Sequence, residues 1–202
     1  MMRLFNFILT VIVAFLISSC STTPVPLTYD PHGVSLAGPT GKPVLEVATV
    51  DDRRKVDANW LGAIRGGYGN PLKKLESNQP VSKVVKTVFQ DGLKARGLQA
   101  DSGKEKFALE IIINKLDCSQ LVRREAHVDL DVKLISLPDQ RKLLEYPVQV
   151  NRVNGSIITF DAGIFASVED LRQIMNDTLQ EAVDKALDNT GLRSHLNGRD
   201  AF

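Results

Sequence analysis

The sequence predicts an α+β protein: a two-layer sandwich in which a mainly antiparallel sheet carries two amphipathic helices on one face. Three observations lead there. Two stretches, 80–97 and about 168–189, place apolar residues at three- and four-residue steps, the period of a half-buried helix. Three stretches between them, 107–116, 127–134 and 144–151, read as strands, the last two by strict apolar/polar alternation. From 43 to 196 the composition is globular, and that length suits one domain with one core.

The elements follow in order. KPVLEVATV, with Val44, Leu45, Val47 and Val50, is a buried strand ended by the charged run 51–55. Residues 59–64 and 72–76 are two short strands around the turn Arg65-Gly66-Gly67-Tyr68-Gly69-Asn70-Pro71. The first helix carries Val81, Val84, Val85, Val88, Phe89 and Leu93 on one side, with Lys83, Lys86, Gln90 and Lys94 on an opposite, solvated face. Pro80 suits its first position with Asn78 or Gln79 as cap, and Gly97 suits its stop. The stretch 107–116 is apolar on both faces and reads as a central strand. Val128, Leu130, Val132 and Leu134 point inward from the next, and 138–140 turns the chain back. Pro147 cannot donate to a ladder, so the strand 144–151 belongs at a sheet edge. Ser167 caps the second helix three residues before Asp170, and Gly191 marks its end. Residues 197–202 form a tail.

The N-terminus carries an address. Arg3 is the only charge before Asp30, and residues 4–17 are almost continuously apolar. That run is shorter than the roughly 20 residues a membrane-spanning helix needs. A basic start, a short apolar run and small residues describe a secretory signal over 1–19. Its end, Ile17-Ser18-Ser19-Cys20, resembles a bacterial lipobox. The resemblance implies that the Cys20 thiol takes a diacylglycerol, that the signal is cut before it, and that the new amine is acylated, with palmitate as the acyl group. Ser21, where aspartate would favour the inner membrane, implies the outer membrane and its periplasmic face. At about 0.8 kcal/mol per buried CH₂, three acyl chains make a lasting anchor. Residues 20–42 read as the lipidated N-terminus and a flexible linker rich in Pro, Gly, Ser and Thr.

Composition and motifs narrow the function. The chain has 25 Lys and Arg against 24 Asp and Glu; loss of Arg3 with the signal leaves 24 against 24. Such neutrality over the whole chain argues against a general nucleic-acid or anionic-membrane binder. After lipidation Cys118 has no cysteine to pair with, so no disulfide frame exists. Gly62 and Gly67 have the spacing of a phosphate-binding loop, but Tyr68 and Gly69 stand where Lys and Ser or Thr must be. The glycines read as a turn that uses positive φ. His32, His127 and His195 have no metal-ligand spacing, and His127, Asp129 and Asp131 on one strand face read as a polar row. No nucleophile elbow is present, no cofactor or metal is called for, and the chain is expected not to be an enzyme. Candidate partner contacts are Arg54 in the charged run, Tyr68 at the glycine turn, and Phe160 and Phe165 in the apolar stretch 155–166. The two phenylalanines serve equally as a plug for the end of the core.

The whole layout resembles one group. VLEVATVDDRR, then WLGAIRGGYGNP, then VSKVVKTVFQDGLKARGL, and a last helix after FASVEDL are similar to the YajG-like family of bacterial lipoproteins. The resemblance implies the address and the fold, and it transfers no reaction and no site residues. It leaves two expectations: a non-enzymatic module that binds an envelope protein, or a carrier or sensor of a lipid or glycan.

Overall fold

The computed structural model describes residues 22–31, 44–154 and 167–196. The signal with Cys20, most of the expected linker, Phe160 and Phe165 in the 155–166 stretch, and the tail lie outside the described residues.

The fold is mixed α+β: a seven-stranded, mostly antiparallel sheet with three helices among the described residues. In chain order the elements are β1 (Thr22–Val25), β2 (Leu45–Asp52), β3 (Trp60–Arg65), β4 (Pro71–Ser77), α1 (Val81–Ala95), β5 (Phe107–Gln120), β6 (Arg124–Ser136), β7 (Arg141–Asn154), α2 (Val168–Leu187) and α3 (Thr190–Leu196). Across the sheet the order is β1-β4-β3-β5-β6-β7, and β2 pairs with β5 beside that path. The ladders β3–β4, β5–β6 and β6–β7 are antiparallel. The ladders β1–β4, β2–β5 and β3–β5 are parallel.

Strand β5 is the axis. Leu109, Ile111, Ile113 and Leu116 are fully buried along it, so both of its edges must be occupied. One edge pairs with β6 over its whole length. The other is divided: β2 takes Phe107 to Ile113, and β3 takes Cys118 to Gln120. Strand β7 closes one side of the sheet, as its proline requires.

The helices fill the core as their periods demand. Val81, Val84, Val85, Val88, Phe89 and Leu93 are buried on α1, and Leu171, Ile174, Met175, Leu179, Val183 and Leu187 on α2. The two helices meet at Gly92, where an added Cβ would lie 2.8 Å from Val183 Cγ1 and 2.9 Å from Leu187 Cδ1. Ser167 caps α2 by accepting from the Asp170 N–H at 3.3 Å. Gly97, at φ 65°, ends the α1 segment, and Leu98 N–H returns to the Leu93 carbonyl at 2.9 Å.

Four expectations need correction. Pro80 is itself the N-cap of α1, without a side-chain cap; the Val81 N–H bonds to the Ala58 carbonyl at 2.8 Å instead. Helix α2 ends at Leu187, and Gly191 lies inside the separate short helix α3. Lys86 is not simply solvated: its ammonium donates to the Ala48 carbonyl at 2.9 Å, where a bulge interrupts the β2–β5 ladder. The start of the expected linker is part of the domain. Residues 22–25 form β1, and Val25, Leu27 and Tyr29 are buried.

Gly62 is the tightest point in the sheet. A Cβ there would lie 1.9 Å from the Cys118 carbonyl oxygen, so β3 meets β5 only because this residue has no side chain. Gly62→Ala is expected to cost about 3 kcal/mol, the upper end for overpacking. A urea titration reads it as a lower midpoint with an unchanged slope.

Candidate functional site

The fork where β2 and β3 part along β5 contains a buried cation. Arg53 N–H still bonds to the Ile113 carbonyl at 3.0 Å, but the next carbonyls of β5 have no strand beside them. The Arg54 guanidinium takes that place. Its Nη1 donates to the Leu116 carbonyl at 2.9 Å and to the Trp60 carbonyl at 2.7 Å. Its Nε and Nη2 grip the Asp52 carboxylate at 2.8 Å each, a bidentate pair. Only 4% of the Arg54 side chain is exposed. Burial works against the Asp52 charge, but the Arg54 hydrogen bonds and charge outweigh it and hold that carboxyl below its usual range. Arg54, expected as a partner contact, is thus spent inside the fold. Its neighbour Arg53 pairs with Asp51 in the open. Beside the fork lies a shallow cleft of about 190 Å³ lined by Lys55, Val56, Trp60, Asn114 and Asp117.

A second buried cation ties the N-terminal strap to the helices. The chain after β1 runs along α2: Thr28 N–H bonds to Asn176 Oδ1 at 2.8 Å, and Gln180 Nε2 donates to the Asp30 carbonyl at 2.7 Å. Arg96, just beyond α1, donates from Nη1 to the Tyr29 hydroxyl at 2.7 Å and from Nη2 to Asp184 at 2.9 Å. It also holds both oxygens of Asp188 at 3.1 Å. The Tyr29 hydroxyl donates to Asp184 at 2.5 Å. Burial, reinforced by the bond to Asp184, pushes the Tyr29 phenol up to about 12. Burial also opposes the Arg96 charge, but Asp188 and Asp184 outweigh it and keep the guanidinium protonated. None of these residues was singled out from sequence. The signal was present: Val25, Leu27 and Tyr29 alternate with Pro26, Thr28 and Asp30, a strand-like pattern within a proline-rich stretch. Asp30, Asp177, Gln180, Glu181, Asp184 and Arg152 wall a polar cleft of about 400 Å³ along this seam.

The glycine turn is a hairpin tip. Gly66 N–H bonds to the Asn70 carbonyl at 2.9 Å, Gly69 N–H to the Gly66 carbonyl at 2.8 Å, and Arg65 Nη1 to the Gly69 carbonyl at 3.0 Å. These bonds fold the tip on itself, as the turn reading required. Tyr68 stands clear of it, 102% exposed. Strand directions put other exposed apolar side chains at this same end of the sheet: Leu72 at the start of β4, Leu121 and Val122 between β5 and β6, and Val153 at the close of β7. The N-terminus of β1 also points here, with Thr22 level with Lys74.

The polar row on β6 is internally bonded. His127 Nδ1 lies 2.7 Å from Asn151 Oδ1, Asp129 accepts from Gln149 at 3.0 Å, and Asp131 accepts from Asn114 at 2.8 Å. Cys118 is buried with its thiol 3.4 Å from the Leu61 carbonyl, and burial pushes its pKa well up, which leaves it unreactive.

The fold and its seam define a single-sheet α+β domain that binds its own leading strand. The chain belongs to the family Lipoprotein_16, described as uncharacterized lipoprotein, whose model matches residues 40–197. The lipoprotein-family resemblance read from the sequence is thereby borne out. No curated protein matches the chain. A Xanthomonas campestris protein of the family DUF330 is 16% identical, covers 90% of this chain and 99% of its own, and superposes at a TM-score of 0.61. That likeness shows the fold. A PelC dodecamer from Paraburkholderia phytofirmans (10% identity, 74% of this chain and 92% of that one, TM-score 0.42) is a more distant match. So is a minor lipoprotein from Acinetobacter baumannii (12%, 57% and 84%, TM-score 0.32). Neither carries a functional argument.

Two expected outcomes test the buried cations. Arg54→Met leaves the Asp52 charge and two carbonyls unmatched and is expected to cost about 3 kcal/mol. Arg53→Met, on an exposed pair, should stay within about 0.5 kcal/mol, so paired urea titrations separate the two roles. Tyr29 makes stability fall at alkaline pH. Its folded pKa is raised from 10.0 to about 12, so its contribution is complete below pH 10 and lost as pH rises through 12. Tyr29→Phe should flatten that loss without abolishing it, because burial raises the Tyr146 phenol as well. Circular dichroism at fixed urea across this range reads the difference.

Proposed function

We propose that this protein is a non-enzymatic accessory lipoprotein of the cell envelope. Acylated Cys20 holds it on the periplasmic leaflet of the outer membrane, and it works by binding another envelope protein. The observation that carries this reading is the placement of the lipobox. Ile17-Ser18-Ser19-Cys20 ends two residues before β1, in a chain whose family is one of lipoproteins. A chain cut before Cys20 loses nothing of the sheet.

The two-layer arrangement belongs to the same proposal. Both long helices form a second layer on one face, supported by the Lys86 bond to β2, the Gly92 contact, and the Tyr146 hydroxyl donating to the Ala186 carbonyl at 2.8 Å. The row of Glu125, His127, Asp129, Asp131 and Lys133 then faces outward and meets the partner. Phe160 and Phe165, in the apolar stretch after β7, are further partner contacts in this reading. The carrier reading is weaker. Drug-sized ligands fill pockets of about 300–1,000 Å³ that are mostly apolar. Of the two clefts described above, both walled by described residues, the one at the fork is smaller than that, and the one along the strap is walled by polar and charged side chains.

Cys20→Ala is expected to release the protein from membranes and to remove the acyl mass from the mature chain. Retention on membranes after salt washing would defeat the anchor. In living cells, photo-crosslinking residues at Gln149, Phe160 and Phe165 should each be tested for adducts. A discrete protein adduct supports the accessory module, a lipid or glycan adduct supports the carrier, and none at any position removes the partner surface.

A further inference from the structure

We infer that the end of the sheet bearing the β3–β4 hairpin tip is a membrane-contact surface, seated on the headgroups of an anionic phospholipid leaflet. The inference rests on the acylated Cys20 of the proposed function and adds which face of the domain the anchor holds down.

Covalent reach and strand register carry it. Strand β1 pairs in parallel with β4, Thr22 beside Lys74. Cys20 is two residues before Thr22, so their Cα atoms are at most about 7 Å apart. Neighbouring strands are about 4.8 Å apart. The acylated residue therefore lies within about 12 Å of Lys74, close to the hairpin that precedes it in β4. An anchor on so short a lead cannot present the far end of the sheet to the bilayer.

The surface next to the anchor has the chemistry of an interface. Tyr68 projects fully from the tip, and Leu72, Leu121, Val122 and Val153 are exposed at the same end; only Val56 of the large exposed apolar residues among those described lies elsewhere. Tyrosine favours the headgroup level, with an apolar ring and a polar hydroxyl. Lysines and arginines beside it draw anionic headgroups. Arg65, Lys73, Lys74 and Arg123 supply that charge here, and among the described residues Lys73 and Lys74 have no carboxylate partner. Arg124 is spent on Asp170 at 3.0 Å, and Glu125 sits 3.9 Å from Arg123, so the charge is offset in part on the β6 side and concentrated at the hairpin.

The test uses the mature acylated chain purified from membranes, with single cysteines at Tyr68→Cys, Val122→Cys or Asp139→Cys. Asp139 lies in the β6–β7 turn at the opposite end of the sheet, about 40 Å away along β6. Cys118 is buried and stays unlabelled. Each variant carries an environment-sensitive fluorophore and is reconstituted into phosphatidylethanolamine–phosphatidylglycerol vesicles containing nitroxide-labelled lipid. Quenching is expected to be several-fold stronger at 68 and 122 than at 139. An acylated protein that floats with the vesicles but shows equal quenching at all three sites, or none at 68 and 122, overturns this inference and leaves the anchor standing. A chain without acyl mass that fails to float overturns the anchor and this surface together.

Discussion

The sheet depends on one ion-dipole arrangement, the Arg54 guanidinium between β2 and β3. A long central strand with two different neighbours on one edge must leave some carbonyls unpaired where those neighbours part. In a buried position each such group costs about 1–3 kcal/mol. Arg54 replaces the missing backbone donors with a fork of N–H groups, and Asp52 at the end of β2 neutralises it. The same contact sets where β2 stops and how the loop 53–59 turns into β3, because Nη1 also holds the Trp60 carbonyl. The close approach of Gly62 to Cys118 is possible only after that turn has been made.

Arg96 plays the corresponding part between the strap and the helices. It stands beyond the end of α1, where the helix leaves carbonyls without donors, and it takes the Gly92 carbonyl at 3.2 Å together with the carboxylates of Asp184 in the last turn of α2 and of Asp188 at its C-cap. Tyr29 adds a hydroxyl from the strap. Three segments remote in sequence thereby share one guanidinium, only 7% exposed. The charge of Arg96 lies near the C-terminal ends of both helices, where a cation is favoured. Both arginines are used where a planar fork is needed, a task an ammonium group would do poorly.

Much of this was legible in sequence. The period of 3.6 marked α1 and α2, and the period of 2 marked β6 and β7, because each of those elements buries one face. Pro147 located an edge, and the Gly-Gly-Tyr-Gly-Asn-Pro stretch located a hairpin tip. Pairing direction was not legible: alternation tells which side chains turn inward, not which strand lies alongside, so the three parallel ladders were missed. Arg54 read as a surface residue because Asp51-Asp52-Arg53-Arg54 is a run of charges. What buries the fourth member is the parting of two strands far apart in register, a tertiary fact. The strap was hidden for the opposite reason, since Pro24 and Pro26 suggested a linker while Val25, Leu27 and Tyr29 quietly kept strand alternation.

The sewn-in strand changes the search problem of an anchored domain. A free linker over 20–42 would let the body wander to a root-mean-square reach of about 25 Å. With β1 laced to β4 and Tyr29 clasped by Arg96, the lead from Cys20 shrinks to about 7 Å. In the lipid-anchored reading proposed above, a domain on such a lead would not fish for partners across the periplasm. On that proposal it would meet components that lie in, or come down to, the same membrane plane, at a correspondingly high local concentration.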